Sequence, residues 1–208
     1  MLGKLGKTTS MSLKKYREKR DLRKTAEPSG RKRRDDETLR PVFVIQEHDA
    51  SSHHYDFRLE VDGALKSWAV PKGLSTDPRE KRLAIATEDH PLDYADFEGT
   101  IPEGEYGAGT VLIWDRGTWS NITEKDGQTQ PAGEALAQGH LLAWLEGEKV
   151  RGGYALHRTG GKDGNWLLIK MDDEGADRRR NPVSTQRESV QTGRTIDEVA
   201  SHDPDGSQ

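Results

Sequence analysis

The segment that most constrains this chain is the run His54–Val61, HYDFRLEV, followed directly by Asp62-Gly63. Side chains of an extended strand alternate between two faces. His54, Asp56, Arg58 and Glu60 therefore share one face, and Tyr55, Phe57, Leu59 and Val61 share the other. One face is wholly ionisable and the other wholly apolar. Asp-Gly after such a run is a strong hairpin signal, and Leu65–Val70, ended by Pro71, is the return strand. The apolar face must build a core. The polar face must meet solvent or line a site.

Further short runs continue the pattern: 42–46, 82–88, 109–114, 140–146, 154–158 and 166–171. About eight strands separated by Gly-, Pro- and Asp-rich turns predict an all-β fold, a sandwich or a barrel. Residues 132–138 predict a short helix. Residues 13–24 predict another, with Ser12 as its N-cap. Three regions follow. Residues 1–40 form a basic arm with a short helix and a linker over 27–37, residues 41–172 the β domain, and residues 173–208 a polar tail. Both ends are expected to be disordered. Residues 195–200 are expected to make one helical turn, and little of the tail is expected to pack.

Hydrophobic residues make up 31% of the chain and charged residues 33%, which predicts a modest core. The absence of cysteine excludes a disulfide scaffold, thiolate metal sites and a cysteine nucleophile. No apolar run approaches the ~18 residues of a membrane helix, and charges at Lys4, Lys7, Lys14 and Lys15 interrupt any secretory segment. The expected location is cytoplasmic. The net charge of −4 hides an asymmetry, since residues 1–40 hold 14 Lys/Arg against 6 Asp/Glu, and the remainder 18 against 30. A basic arm on an acidic body reads either as a local nucleic-acid contact or as a solvated tail.

The chemistry concentrates in the segment 48–60, HDASSHHYDFRLE. His54 and Asp56 lie two residues apart on one strand face, so both reach a single ion. His48, at the end of the preceding strand, could supply a third ligand. Two imidazoles and a carboxylate suit a catalytic divalent metal, with Mn²⁺, Zn²⁺ and Fe²⁺ all compatible. Arg58, one step along the same face, is placed to grip an anion through parallel hydrogen bonds. The competing reading is an ordinary exposed strand face. In the segment 88–94, EDHPLDY, His90 could donate a proton or a hydrogen bond, or merely cap a turn. By itself Tyr94 reads as a core residue. Gly104, Gly107 and Gly109 read better as a tight turn than as a phosphate cradle, because no helix follows them. The tryptophans, in or beside strands, read as core fillers rather than base-stacking platforms.

Taken together, residues 48–73, 88–111 and 152–170, with the leader 13–28 (LKKYREKRDLRKTAEP), resemble the 3′-phosphoesterase domain of bacterial DNA ligase D and its stand-alone relatives. The resemblance spans roughly residues 13–172, and the segment RESVQTGRTIDEVA is similar to one that leads to the next domain in fused ligases. A stand-alone form is therefore expected. The resemblance implies a compact β-barrel that removes a 3′-terminal ribonucleotide and then a 3′-phosphate from DNA ends, leaving a 3′-OH for a ligase or polymerase. It implies a divalent metal, Mn²⁺ by preference, held by His48, His54 and Asp56. Arg58 and His90 would contact the scissile phosphate, and Lys72, Arg82 and Tyr94 would line the site. Gln46 and Glu88 match supporting positions. Arg20, Asp21 and Glu27 match leader positions linked to the ribonucleotide step. Two departures stand out: His53 occupies a usually apolar position, either facing the core or preceding the strand, and Leu22 replaces a usual aromatic. Neither touches the implied ligands.

Ligase, polymerase and Ku-type repair proteins are the implied partners, and a monomer is expected. Two other functions compete with this one. The first is a non-catalytic DNA-end binding module that recruits a ligase through its arm, but a mere binder has no need of a metal triad. The second is a metal-dependent phosphoesterase acting on small molecules, against which the leader and basic arm count.

Overall fold

A computed structural model describes residues 13–30, 40–160 and 165–202. Eleven strands are present: β1 (Val42–Asp49), β2 (His54–Val61), β3 (Ala64–Val70), β4 (Lys81–Ala86), β5 (Gly99–Ile101), β6 (Gly109–Asn121), β7 (Glu124–Lys125), β8 (Gln128–Thr129), β9 (His140–Gly147), β10 (Arg151–Arg158) and β11 (Asn165–Lys170). The main sheet runs β1-β2-β3-β4-β11-β10-β9-β6, and β6 pairs back onto β1. All of these pairs are antiparallel. The result is a closed eight-stranded barrel, which leaves no edge to be paired or covered. β5 adds to the end of β6, and β7–β8 form a separate hairpin.

Each expected strand is present, although β6 runs further than expected. β5, the β7–β8 hairpin and a 3₁₀ turn at Leu92–Asp96 were not anticipated. They are too short to leave a period in the sequence. The β2–β3 hairpin turns on Asp62 and Gly63, at φ 52° and 79°. Positive φ at both central residues matches the strand twist, and Asp-Gly tolerates it at little cost.

The apolar face of β2 faces the barrel interior. Tyr55, Phe57, Leu59 and Val61 join Phe43, Ile45, Trp68, Trp114, Leu145 and Leu156 in one buried cluster. Trp119 and Trp166 belong to it too, so these tryptophans fill the core as expected. The opposite face of β2 lies outside the barrel, yet it is covered as well. A second cluster of Tyr16, Leu65, Tyr94, Phe97, Ile101 and Val111 packs over it. Tyr16 comes from helix α1 (Lys14–Glu18), which is shorter than the expected 13–24. Leu13 takes the cap position without a side-chain hydrogen bond, and Ser12 lies outside the described residues.

The expectation that little of residues 173–208 packs is corrected up to residue 202. Ile196 and Val199 of helix α4 (Ile196–Ser201) are buried in the main core cluster, with Val183 of α3 (Pro182–Thr185) against it. The Trp114 indole N–H and the Lys149 ammonium both donate to the Gln186 carbonyl, at 2.7 and 2.9 Å. Thr195 and Glu198 form a capping box on α4. A few apolar residues and many backbone carbonyls anchor this segment, and carbonyls do not show in composition. Helix α2 (Ala132–Gln138) spans the expected residues. The expected disorder at the two extreme ends falls on residues outside those described. No helix among the described residues is long and apolar enough to cross a membrane.

Candidate active site

The outer face of β2 holds a continuous polar chain. Antiparallel register sets His48 of β1 opposite His54 of β2, and Gln46 opposite Asp56. One Asp56 oxygen, Oδ2, lies 3.6 Å from His48 Nδ1 and 3.7 Å from His54 Nε2. One ligand atom from each residue falls within 4.8 Å of the others. The far nitrogen of each imidazole is tied to the backbone. His54 Nδ1 donates to the Ser52 carbonyl at 2.7 Å, and His48 Nε2 to the Gly107 carbonyl at 3.0 Å. Such outer hydrogen bonds fix the tautomer, so in the neutral rings the lone pairs point toward the carboxylate. Lone pairs converging on a carboxylate need a cation between them. The donor set and its orientation thus fit a divalent metal.

Arg58 is buried and engaged through all three nitrogens. Nε donates to Gln46 Oε1 at 2.8 Å, Nη2 to Asp56 Oδ2 at 2.9 Å, and Nη1 lies 2.9 Å from His90 Nδ1. The Gln46 amide donates to the carbonyls of Tyr94 and Phe97, which fixes its oxygen toward Arg58. Burial works to raise the Asp56 pKa. The Arg58 guanidinium outweighs burial and holds the carboxyl well below its usual range. Burial also lowers the basicity of His90, and the flanking Arg58 and Arg20 cations lower it further, well below the ordinary imidazole value. His90 is therefore a neutral ring.

The leader closes this face. Arg20 donates to Glu27 Oε1 at 2.8 Å and to Glu88 Oε1 at 3.0 Å, and its Nη2 lies 3.3 Å from His90 Nε2. Tyr94 donates to the same Glu27 oxygen at 3.2 Å. Its ring centroid is 4.7 Å from that of His90, and the Arg58 guanidinium lies 5.0 Å from its ring. The other Glu27 oxygen is buried with no partner among the described residues.

The structure therefore joins ten of the sequence-predicted residues, His48, His54, Asp56, Arg58, Gln46, His90, Glu88, Tyr94, Arg20 and Glu27, in one contact network. Three stand apart from it. Asp21 pairs with Arg23, its neighbour on the leader surface. Arg82 pairs with Glu80 at 2.6 Å. Lys72 is exposed beyond the end of β3. Among the described residues, no hydrogen bond or ion pair joins these three to the network. His53 precedes β2, half-exposed, and meets Glu47 at 2.8 Å. Asp56 and Arg58 are buried, so the polar face is not the open strand surface of the competing reading.

Sequence reasoning missed Tyr16, Ser67, Lys19 and Tyr106. Tyr16 is fully buried, donates to the Pro28 carbonyl at 2.7 Å, and stacks edge-on to His90 and Tyr94. The Ser67 hydroxyl lies 3.3 Å from His90 Nδ1. Lys19 and Tyr106 both hydrogen-bond Glu88. Tyr16 does sit four residues before Arg20, but nothing in sequence spacing pairs residues 16–20 with 88–106.

A family model described as the DNA Ligase D 3′-phosphoesterase domain matches residues 46–158. The multifunctional non-homologous end joining protein LigD of Pseudomonas aeruginosa is 51% identical over 192 residues, covering 90% of this chain and 22% of that protein. The corresponding DNA repair protein of Mycobacterium tuberculosis is 48% identical over 168 residues, covering 78% of this chain and 20% of its own length. That of Mycolicibacterium smegmatis is 48% identical over 160 residues, covering 76% and 20%. The chain thus spans about a fifth of the length of these curated relatives.

Proposed function

Because the chain belongs to the DNA ligase D 3′-phosphoesterase domain family, we propose that it heals blocked DNA 3′ ends for non-homologous end joining. In this reading it clips the 3′-terminal ribonucleotide by adding water to the linking phosphorus and breaking the bond to the ribose 5′ oxygen, so that a ribonucleoside leaves and a 3′-phosphate stays on the DNA. It then hydrolyses that phosphate to a 3′-OH. It acts in the cytoplasm, ahead of a ligase or polymerase and in company with a Ku-type end-binding protein. The observation that carries the proposal is the pair of backbone-tethered imidazoles facing Asp56 Oδ2, with Arg58 and His90 directly behind it. A non-catalytic binding module would have no use for so exacting an arrangement.

His48, His54 and Asp56 would hold a divalent cation, Mn²⁺ in this proposal, since imidazole and carboxylate donors suit it. When bound, that ion supplies Lewis-acid neutralisation of charge on the phosphate. The protein's own groups do the positioning on which phosphoryl transfer depends. Arg58 presents N–H groups to phosphate oxygens from a guanidinium already fixed by Gln46 and Asp56. Little reorganisation is then needed when substrate binds. His90 is assigned to the scissile phosphate, its ring set beside that position by Arg58, the Glu88 carbonyl and Arg20. Tyr94, Glu88, Arg20 and Glu27 hold His90 and Arg58 in place. In the second step water adds to phosphorus and the bond to the 3′ oxygen breaks, that oxygen leaving as a hydroxyl with one proton. Lys72 and Arg82 are assigned to the lining of the site, and Asp21 to the leader's part in the ribonucleotide step.

The test uses labelled primer–templates ending in a 3′-phosphate or in one ribonucleotide, incubated with and without Mn²⁺. Metal-dependent formation of a 3′-OH end is the expected result. Intact DNA binding with no conversion under any divalent metal would instead make the protein a recruiting module.

A further inference from the structure

The large apolar side chains left exposed among the described residues are Leu83, Ile85 and Tyr106. Leu83 and Ile85 alternate with buried Ala84 on the outside of β4. Tyr106 is different, because it stands at the rim of the polar site. It is carried by the turn over residues 102–108, where Gly104 and Gly107 take φ of 87° and 83°. A Cβ at Gly109 would lie 2.3 Å from the Asp49 carbonyl oxygen, so the turn is pressed against the end of β1. The very next residue, Gly107, gives His48 its carbonyl partner at 3.0 Å.

The Tyr106 hydroxyl is tied on two sides. It accepts from Lys19 Nζ at 2.9 Å and donates to Glu88 Oε2 at 3.3 Å. Glu88 also binds Arg20, which reaches His90. Lys19 Nζ lies 4.4 Å from the ring centroid and the Arg20 guanidinium 5.1 Å. The ring is thus oriented by its polar end and flanked by cations, yet stays 45% exposed. Two neighbouring carboxylates are paired, Glu105 with Lys24 and Glu88 with Lys19 and Arg20, which reduces the negative charge that a polyanion meets at this rim.

We propose that Tyr106 is a stacking platform for a nucleobase at the 3′ end of the DNA strand whose terminal phosphate enters the His48–His54–Asp56 group. The proposal rests on the reading of that group as a DNA 3′-end phosphoesterase site. An oriented aromatic face with adjacent cations binds bases without regard to identity, because every base has a π face. The platform therefore sets strand position rather than sequence preference. The alternative role for Tyr106 is a structural bridge, which needs only the hydroxyl between Lys19 and Glu88.

The experiment separates ring from hydroxyl, and base from backbone. Wild type, Tyr106→Ala, Tyr106→Phe and Tyr106→Trp are compared on two 3′-phosphate primer–templates, one intact and one abasic over its last two nucleotides. Binding is read by fluorescence anisotropy, alongside KM and kcat. On intact DNA, Tyr106→Ala should weaken binding and raise KM about tenfold with kcat nearly unchanged, whereas Tyr106→Phe and Tyr106→Trp stay within about twofold of wild type. On abasic DNA the Tyr106→Ala penalty should vanish. An equal penalty on both DNAs, or a Tyr106→Phe loss as large as that of Tyr106→Ala, would make Tyr106 a bridge and overturn the proposal. So would unchanged binding by Tyr106→Ala, or no binding by wild type. Wild type that binds but converts nothing overturns the phosphoesterase reading alone, since anisotropy still measures the stacking.

Discussion

The two faces of β2 are both hidden from solvent, but by different means. Inside the barrel, Phe57 and Leu59 are buried among tryptophans and leucines contributed by the other strands. That burial is non-directional and scales with area. Outside, Asp56 and Arg58 are buried beneath a leader helix and a 3₁₀ turn, and each nitrogen of the Arg58 guanidinium is held by a specific partner. Burying charge is costly unless it is paired and hydrogen-bonded. The inner face can tolerate a change of shape and lose only packing energy. In the proposed function, the outer face should lose its chemistry when a single partner goes. One strand thus carries the stability of the fold on one side and, in the proposed function, the chemistry on the other.

The sharpest test of this contrast sets neighbours against each other. Phe57→Ala should destabilise the protein by roughly 3–5 kcal/mol while the folded fraction keeps its activity and metal dependence, as denaturant titration and specific activity would show. Asp56→Ala should abolish activity and also cost stability, by roughly 3–5 kcal/mol, because Arg58 is left as an unpaired buried cation. The strand pattern taken alone suggests that Asp56 could be lost with little harm to folding, and the buried ion pair reverses that expectation. Full stability in Asp56→Ala would show that water or another group compensates Arg58, and the contrast would fail.

A smaller effect is expected one layer out. Arg20→Ala and Glu27→Gln should be non-additive, with a coupling of about 1–3 kcal/mol in a double-mutant cycle, since the two side chains are buried against each other at 2.8 Å. Additive losses would mean that the leader merely lies on the site.

Proton linkage gives a further test. The pKa of His90 in the folded protein is well below its ordinary value of 6.5. Below about pH 6.5 the unfolded chain takes up a proton that the folded site resists, so stability falls as pH falls, by at most about 1.4 kcal/mol per pH unit. Glu88, held below its ordinary 4.5 by Arg20 and Lys19 against the effect of burial, adds a second loss below that value. The range from pH 6.5 to 5 lies below the window in which His54, raised by Asp56 and the Ser52 carbonyl against the effect of burial, acts in the opposite sense. Denaturant titrations across that range should show the decline, and His90→Gln should flatten it there. An unchanged slope in that variant would assign the linkage elsewhere.

The smallest stability change is expected for His54→Ala, about 1 kcal/mol, because its side chain, 20% exposed, is less buried than those of His48 and Asp56. Its activity should nonetheless be lost. A folded variant with full activity would remove His54 from the metal site.

The strands were legible because alternation is a local property. HYDFRLEV followed by Asp-Gly declares its two faces and its turn without reference to the rest of the chain. The same alternation set His54, Asp56 and Arg58 on one side. The resemblance supplied Gln46, Glu88 and the leader residues, which spacing could not have found. Residues 182–199 were misread because they bind through backbone carbonyls and a handful of apolar side chains, such as Ile196 and Val199.

By itself, then, the sequence determined the barrel's strands, its hairpin and the grouping of ionisable side chains on one strand face, all consequences of a two-residue period. Only the tertiary structure decided that this face would be buried under Tyr16 and Arg20, and that Lys19 and Tyr106 would meet Glu88 at its rim. Contacts between residues some seventy positions apart depend on how the closed sheet brings distant segments together, and no local pattern records that.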